Sequence, residues 1–275
     1  MTGRVSYLIR GGEPPVGPVG ALGALVAAIV VAASGAAPAA AQAVAAHIAA
    51  GDAARCGAAT AAAVSEYRAA LAIDTTSYEA NWKGARALVD AGKTATEAAR
   101  RDSAYAAARA LAERAVAIND AGPDGHYMLA VALGRVALTM GPKDRVRYAG
   151  RVRDEAVRAL DLDPRHDGAL HVLGRWNAEI ERLPMMARVF ARTFLGASVF
   201  AKASWDNAVR YFGDAVAVDP RNIYHRLDLA EALIDAGRAA EARPHLDQVA
   251  QLPLGCDPMD AEYKKAAVEL ARRIP

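Results

Sequence analysis

Residues 212–220 read FGDAVAVDP, and related endings recur along the chain: YRAALAID at 67–74, AERAVAIN at 112–119, AVRALDLDP at 156–164 and, more loosely, LDQVAQLP at 246–253. Each ending predicts the last turns of a helix followed by a turn, with Pro164 and Pro220 as stops. Upstream of each ending lies another helical run that ends near glycine, such as RLDLAEALIDAG at 226–237. The sequence therefore predicts a series of helical hairpins.

These hairpins resemble tetratricopeptide repeats. Small residues in that 34-residue pattern let helix backbones approach, and large residues fill the gaps between them. The fourth hairpin matches it with Leu173-Gly174, Ala208, Phe212, Ala215 and Pro220. We therefore predict an all-α, tetratricopeptide-like helical-hairpin solenoid. Its expected repeats are residues 44–77, 78–122, 123–166, 167–222 and 223–254, with a C-terminal capping helix at 258–274 that Asp257-Pro258 opens.

The spacing of the repeats is irregular. The residues equivalent to Ala215 are Ala70, Ala115, Ala159 and Val249. Only the last interval, from Ala215 to Val249, equals the unit of the repeat family. We expect the extra residues of the second, third and fourth repeats to lie between their two helices. The longest insertion, residues 183–204, is rich in large apolar residues. It is expected to fold back on the fourth repeat, and the alternative is an exposed patch that faces a partner or a membrane.

The composition agrees with a helical fold and excludes several classes of protein. The chain has 275 residues, of which 53% are hydrophobic, and about a quarter are alanine, the strongest helix former. High apolar content excludes a disordered chain, and two cysteines exclude a disulfide scaffold. A net charge of +2 gives no electrostatic case for nucleic-acid binding.

The N-terminus has the order of a secretory signal. Arg4 and Arg10 precede an apolar stretch, VGALGALVAAIVVAA at 19–33, and the small-residue run AAAQA follows at 39–43. We expect residues 1–43 to be a signal peptide and cleavage region, residues 44–275 to be the mature domain, and the protein to be an exported, periplasmic protein of bacterial type. The alternative is an uncleaved inner-membrane anchor, although the apolar stretch is shorter than the ~20 residues that span a bilayer.

Two cysteines remain in the mature chain, Cys56 and Cys256. Export would place them in an oxidising compartment. Because they lie near opposite ends of the mature chain, an elongated stack is expected to keep them apart, without a disulfide between them.

A narrower resemblance rests on residues 164–220. The core His171-x-Leu173-Gly174-Arg175-Trp176, the insertion after Leu183 and the segment WDNAVRYFGDAVAVDP at 205–220 resemble the family called regulators of microtubule dynamics. The resemblance implies a tetratricopeptide-type fold without enzymatic activity. By resemblance only, it also implies the microtubule association of the eukaryotic members, some of which contact organelle membranes.

The first helix of each repeat is expected to line the concave face, and three arginines recur there at equivalent positions. Arg86, Arg135 and Arg175 would form a ladder suited to carboxylates, because the guanidinium pairs with them bidentately. The competing interpretation is internal pairing, since Asp90 and Glu179 each lie four residues after an arginine. The candidate partner-binding residues are Trp82, Arg86, Arg135, His171, Arg175, Glu179 and Glu231.

The sequence contains no G-x-S-x-G, H-E-x-x-H or P-loop motif. His166 and His171 are five residues apart, which is poor spacing for a shared metal on one helix face. His126, His225 and His245 are isolated in sequence, so packing roles are expected for them. We therefore predict no catalytic, cofactor or metal site, and a scaffold that binds a peptide or helix of a protein partner on its concave face. The alternatives are a membrane-anchored assembly factor and an enzyme with an unrecognised site.

Overall fold

The computed structural model describes residues 20–185 and 198–274, and in them it confirms an all-α tetratricopeptide-like solenoid. The chain divides into two compact units, residues 1–42 and residues 43–275. The described residues contain no β-strand. Their α-helices are α1 (Gly20–Cys56), α2 (Thr60–Ile73), α3 (Tyr78–Thr94), α4 (Ala98–Ile118), α5 (Pro123–Ala137), α6 (Pro142–Leu162), α7 (Asp167–Arg182), α8 (Trp205–Val218), α9 (Ile223–Asp235), α10 (Ala239–Gln251) and α11 (Asp260–Arg273).

Consecutive helices of the second unit pack as hairpins, from α2 against the part of α1 in that unit to α9 against α10, and α11 covers the last hairpin. The small residues of the repeat pattern lie where helices touch. Ala63, Ala159, Ala208 and Ala215 have no solvent-exposed surface, and Phe212 is almost completely buried. The pattern therefore records close helix packing, as predicted.

Two glycines show how close this packing is. A Cβ atom added to Gly51 would lie 2.8 Å from the ring of Tyr67, and one added to Gly174 would lie 2.6 Å from the ring of Phe212. In both pairs the glycine is on the first helix of a hairpin and the aromatic ring is on the second. Glycine is needed at these positions because the ring occupies the space of a side chain.

The extra residues of the second and third repeats do not lie in loops between helices, contrary to the expectation from spacing. Only residues 95–97 separate α3 from α4, and α4 and α6 are each 21 residues long, whereas α2 has 14. The additional residues therefore lengthen the second helices, which their alanine and arginine content favours. In the insertion at 183–204, residues 186–197 lie outside the described residues, and Ser198–Lys202 forms a short 3-10 helix.

Side-chain caps begin several helices, as at Ser77, Ser204 and Asn222, where the side-chain oxygen accepts a hydrogen bond from a backbone N–H three residues later. The capping helix begins at Asp260 rather than at Pro258. Asp257, expected to cap it, instead accepts a hydrogen bond from the Met259 N–H and pairs with Lys93. Among the residues that the structure describes, no helix is both long and apolar enough to cross a membrane.

Candidate binding cavity

The first helices α3, α5, α7 and α9 face a common cavity of about 1630 Å³, and the segment between α10 and α11 closes one side of it. Its wall changes character along its length. Charged and aromatic residues of α3, α9 and the closing segment form one end. Aliphatic residues of α5, α6 and α7, together with Trp176 and Phe200, form the other. The cavity is thus amphipathic, with a polar end and an apolar end.

A disulfide joins segments near the two ends of the second unit, which corrects the expectation that Cys56 and Cys256 stay apart. Their Cα atoms are 4.0 Å apart, although 200 positions separate them in sequence. Cys56 ends α1 and Cys256 lies in the segment that closes the cavity. The stack is curved rather than elongated, so that the Nζ of Lys93 on α3 lies 5.8 Å from the ring centre of Tyr224 on α9. A rotation at every repeat, accumulated along a solenoid, produces such a curve.

Ion pairs reinforce this junction. Arg55 beside Cys56 donates to Asp90 over 2.7 Å, and Lys93 pairs with Asp257 beside Cys256 over 2.8 Å. Burial disfavours the charged form of Lys93, but Asp257 and Asp90 outweigh it and raise the lysine pKa above its ordinary value. The disulfide and these two ion pairs are hereafter called the clasp. The two residues of α3 in these ion pairs, Asp90 and Lys93, lie about one turn apart on the helix face toward the cavity.

The structure places the first arginine of the predicted ladder in an internal cluster. Arg86 lies 3.4 Å from Asp52 of α1, and its guanidinium stacks over Trp82 at 5.1 Å. Asp52 also accepts hydrogen bonds from Lys83 and from the Tyr67 hydroxyl. Arg86 and Trp82 both line the cavity, but the predicted pairing of Arg86 with Asp90 does not form, because Asp90 is engaged by Arg55.

The third arginine is internally paired as the competing interpretation expected. Arg175 contacts Glu179 over 3.2 Å and Asp228 of α9 over 3.1 Å. Asp228 is buried, yet the neighbouring His171 and Arg175 hold the pKa of its carboxyl below its ordinary value against the effect of burial. Arg175 therefore ties α7 to α9 through a buried carboxylate, and Glu179 lies in the same network at the surface.

His171 forms a histidine pair that sequence reasoning missed. Its Nδ1 lies 2.9 Å from Nδ1 of His225, whose Nε2 is 2.9 Å from Asp167. The Nε2 of His171 lies 3.2 Å from Asp228 without an aligned hydrogen bond. Burial lowers the pKa of His171 to about 4 despite Asp228. The signal was available, since both histidines lie in the first turns of consecutive first helices, but it required comparing positions across repeats.

Arg135 differs from the other two arginines of the predicted ladder. It lines the cavity from the last turn of α5 and is half-buried. Within residues 20–185 and 198–274, no carboxylate pairs with its side chain and no acceptor receives a hydrogen bond from it. Glu231, by contrast, does not line the cavity; it lies 3.7 Å from Arg182, and burial raises the pKa of its carboxyl.

Trp176 packs at the apolar end. Its indole N–H donates to the Ala149 carbonyl of α6 over 2.8 Å, and its ring meets the ring of Phe200 edge to face at 5.8 Å. Phe200 is buried, whereas Met185 at the other end of the described insertion is 70% exposed. The apolar residues predicted to fold back at Met186, Val189, Phe190, Phe194 and Leu195 lie outside the described residues.

In the part of the chain that the structure describes, no three His, Cys, Asp or Glu side chains are arranged to hold a metal ion. Among the same residues, many of the ionisable groups that line the cavity pair with groups of opposite charge, and Arg135 has no carboxylate partner. What this arrangement can do is bind: it offers an apolar wall, paired charges and one half-buried cation to which the described residues supply no carboxylate.

Comparison with known proteins agrees with this fold. The family model described as Regulator of microtubule dynamics protein 1-3 matches residues 48–274. The chain is 25% identical over 147 residues to Regulator of microtubule dynamics protein 1 of Bos taurus, a match that covers 53% of this chain and 45% of that protein. It is 23% identical over 190 residues to Regulator of microtubule dynamics protein 3 of Rattus norvegicus, covering 69% of this chain and 40% of that protein. The chain thus spans less than half the length of these curated relatives.

Two solved structures share the fold. A thermophilic TPR protein of Thermus thermophilus superposes with a TM-score of 0.57 at 17% identity, covering 77% of this chain and 90% of that one. The pilF protein of Pseudomonas aeruginosa superposes with a TM-score of 0.50 at 15% identity, covering 85% and 93%. At these identities the likeness shows the tetratricopeptide fold alone.

Proposed function

We propose that this chain, which belongs to the regulator of microtubule dynamics family, is a non-enzymatic scaffold that binds a segment of a protein partner on its concave face. The observation that carries the proposal is the cavity of about 1630 Å³ between the first helices. The regulation of microtubule dynamics stated in the relatives' names is not part of the proposal, because the chain spans less than half of their length.

The size of the cavity suits a short structured segment. A helix about 10–12 Å across that rises about 1.5 Å per residue would fill this volume with roughly 10 to 14 residues. The wall also suits a helical partner segment, because Leu138 and Leu254 line the cavity and remain 61% and 60% exposed. Large apolar side chains left open beside charged groups are typical of a partner-binding surface.

The proposal includes export, as the N-terminal pattern predicts. The Cys56–Cys256 disulfide supports it, because such bonds persist in oxidising compartments and are rare in the cytosol. Mass spectrometry of the native N-terminus tests cleavage: a chain that starts near Gln42 or Val44 is expected, and an intact residue 1 would favour the membrane anchor instead.

Site-specific photocrosslinking in the source cell tests the scaffold function. The photoreactive amino acid benzoylphenylalanine is placed at Val131, which lines the cavity on α5, and separately at Arg100, whose side chain is 77% exposed on α4. We expect a discrete crosslinked adduct from position 131 and none of the same mass from position 100. Adducts that form equally at both positions, or at neither, would refute binding in the cavity.

A further inference from the structure

The three arginines of the predicted ladder do not share one role. Arg86 is held by Asp52 and Trp82, and Arg175 is held by Asp228 and Glu179. Arg135 lies between them on α5, and its guanidinium has no carboxylate partner among the described residues. A half-buried guanidinium loses hydration, and an unpaired charge in that position is costly unless a ligand compensates it.

Three acids in or beside the described cavity wall are already held by other cations. Asp90 and Asp257 are engaged by Arg55 and Lys93 in the clasp, and Asp228 is engaged by Arg175. The C-terminal end of α5 favours a cation through the helix dipole, but it supplies no carboxylate. Arg135 is therefore a half-buried cation to which the described part of the chain supplies no direct carboxylate partner.

Arg135 affects the pKa values of two neighbouring groups. Burial and the carboxylate of Asp228 raise the pKa of Tyr224, and Arg135 is among the cations that oppose this rise. Asp257 and Asp90 raise the pKa of Lys93 against the effect of burial, whereas repulsion from Arg135 lowers it. Both groups belong to the polar end, so Arg135 lies within electrostatic range of that end of the cavity.

The apolar surface begins beside this cation. Val131 lies one turn before Arg135 on the same helix face, and Leu138 follows three residues after it; both line the cavity. We propose that Arg135 anchors an acidic side chain of the partner segment, and that apolar residues of that segment one turn away pack on Val131 and Leu138. This inference rests on the scaffold function proposed above and names the chemistry of its partner.

A peptide selection tests the inference. The full chain with its disulfide formed is used to select binders from a displayed library of random 16-residue peptides, and the selected peptides are synthesised with a fluorescent label. We expect them to contain an Asp or Glu with an apolar residue three or four positions away. Arg135→Ala is expected to weaken their binding about 10- to 100-fold, as loss of a charge-assisted hydrogen-bonded pair does.

The matched control is Arg147→Ala, which removes an arginine that is 71% exposed on α6, pairs with Asp144 and does not line the cavity. Its peptide affinity should equal that of the wild type. Replacing the peptide acid by lysine should abolish binding to the wild type, and Arg135→Glu should restore it. A structural role for Arg135 would not produce this reciprocal rescue.

The outcomes separate this inference from the proposed function. Peptides that crosslink to benzoylphenylalanine at Val131 but bind Arg135→Ala as tightly as the wild type would overturn the acidic anchor and support the scaffold. Peptides that bind without crosslinking at position 131, or a library that yields no binder, would overturn both.

Discussion

Of the disulfide and the ion pairs that join distant segments of this protein, the disulfide is expected to contribute most to the free energy of unfolding. The test variant replaces both cysteines, Cys56→Ser and Cys256→Ser, which avoids leaving a lone reactive thiol. The bond closes a loop of 200 residues. For a loop of about that length, the chain-entropy relation gives a stabilisation of about 5 kcal/mol at 25 °C, through restriction of the unfolded chain.

The native fold should survive the substitution. Arg55–Asp90 and Lys93–Asp257 join the same segments through ion pairs that do not depend on the cysteines. Because a disulfide acts mainly on the unfolded state, the free energy of unfolding should fall while far-ultraviolet circular dichroism stays unchanged. A loss of about 5 kcal/mol is a large fraction of the 5–15 kcal/mol that holds an ordinary domain folded.

Urea denaturation measures the effect. With a slope of about 3 kcal/mol per molar, the midpoint should fall by roughly 1.5 M in the double variant. Reductant should lower the wild-type midpoint to the same value and leave the variant unchanged. A double variant whose midpoint matches that of the oxidised wild type would show that the disulfide does not stabilise the fold. Two free thiols titrated in the unreduced, unfolded protein would show that the bond does not form.

Three further predictions concern the packed interior. Gly174→Ala should destabilise the fold by about 1–3 kcal/mol in urea titration, because the added methyl meets Phe212, whereas Gly213→Ala, with no atom near its added Cβ, should stabilise it by up to about 1 kcal/mol; equal effects would contradict the packing argument. Burial lowers the pKa of His171 to about 4, so its contribution to the free energy of unfolding should be fully present above pH 6.5. That contribution should fall by up to about 3 kcal/mol as the pH drops from 6.5 to 4, because in that window His171 binds a proton in the unfolded chain and not in the folded one. His171→Gln should remove this slope, and an unchanged slope would assign it to other groups. Asp228→Asn should lower the free energy of unfolding by about 2 kcal/mol. This is less than the loss expected when a fully buried ion pair is broken, because Arg175 keeps its contact with Glu179. An unchanged free energy of unfolding would show that the buried carboxylate does not hold α7 to α9.

The helical repeat could be predicted from sequence because its signals are local. Ala208, Phe212 and Ala215 lie within two turns of one helix, and their sizes record how closely the next helix approaches. Their spacing is sufficient to locate α8 and its partner α7 without knowledge of the rest of the chain. The lengths of α4 and α6 were less accessible, because an alanine-rich stretch with arginines is compatible with a longer helix as well as with an insertion.

The candidate site was predictable only in part. That Arg86, Arg135 and Arg175 share one face follows from helical periodicity, and all three line the cavity. Which of them is paired depends on acids from distant segments. Asp52 lies on α1 and Asp228 on α9, so neither is within a few residues of the arginine it neutralises. Rules on neighbouring charges find Glu179 beside Arg175 and cannot find the others.

The closure of the stack depends on a quantity that the repeat pattern does not contain. Packing positions show which residues touch between successive helices, but a few degrees of rotation per repeat decide whether Cys56 and Cys256 meet after five repeats. The residues that hold the junction from its two ends, Arg55 and Asp257, lie at a helix end and in a connecting segment, outside the consensus positions. Two cysteines in a chain whose N-terminal pattern predicts export were the better guide, because compartment chemistry acts regardless of sequence distance. Curvature in this solenoid is therefore held at positions that the repeat leaves free to vary, and there a relative could gain or lose the clasp without altering a single packing residue.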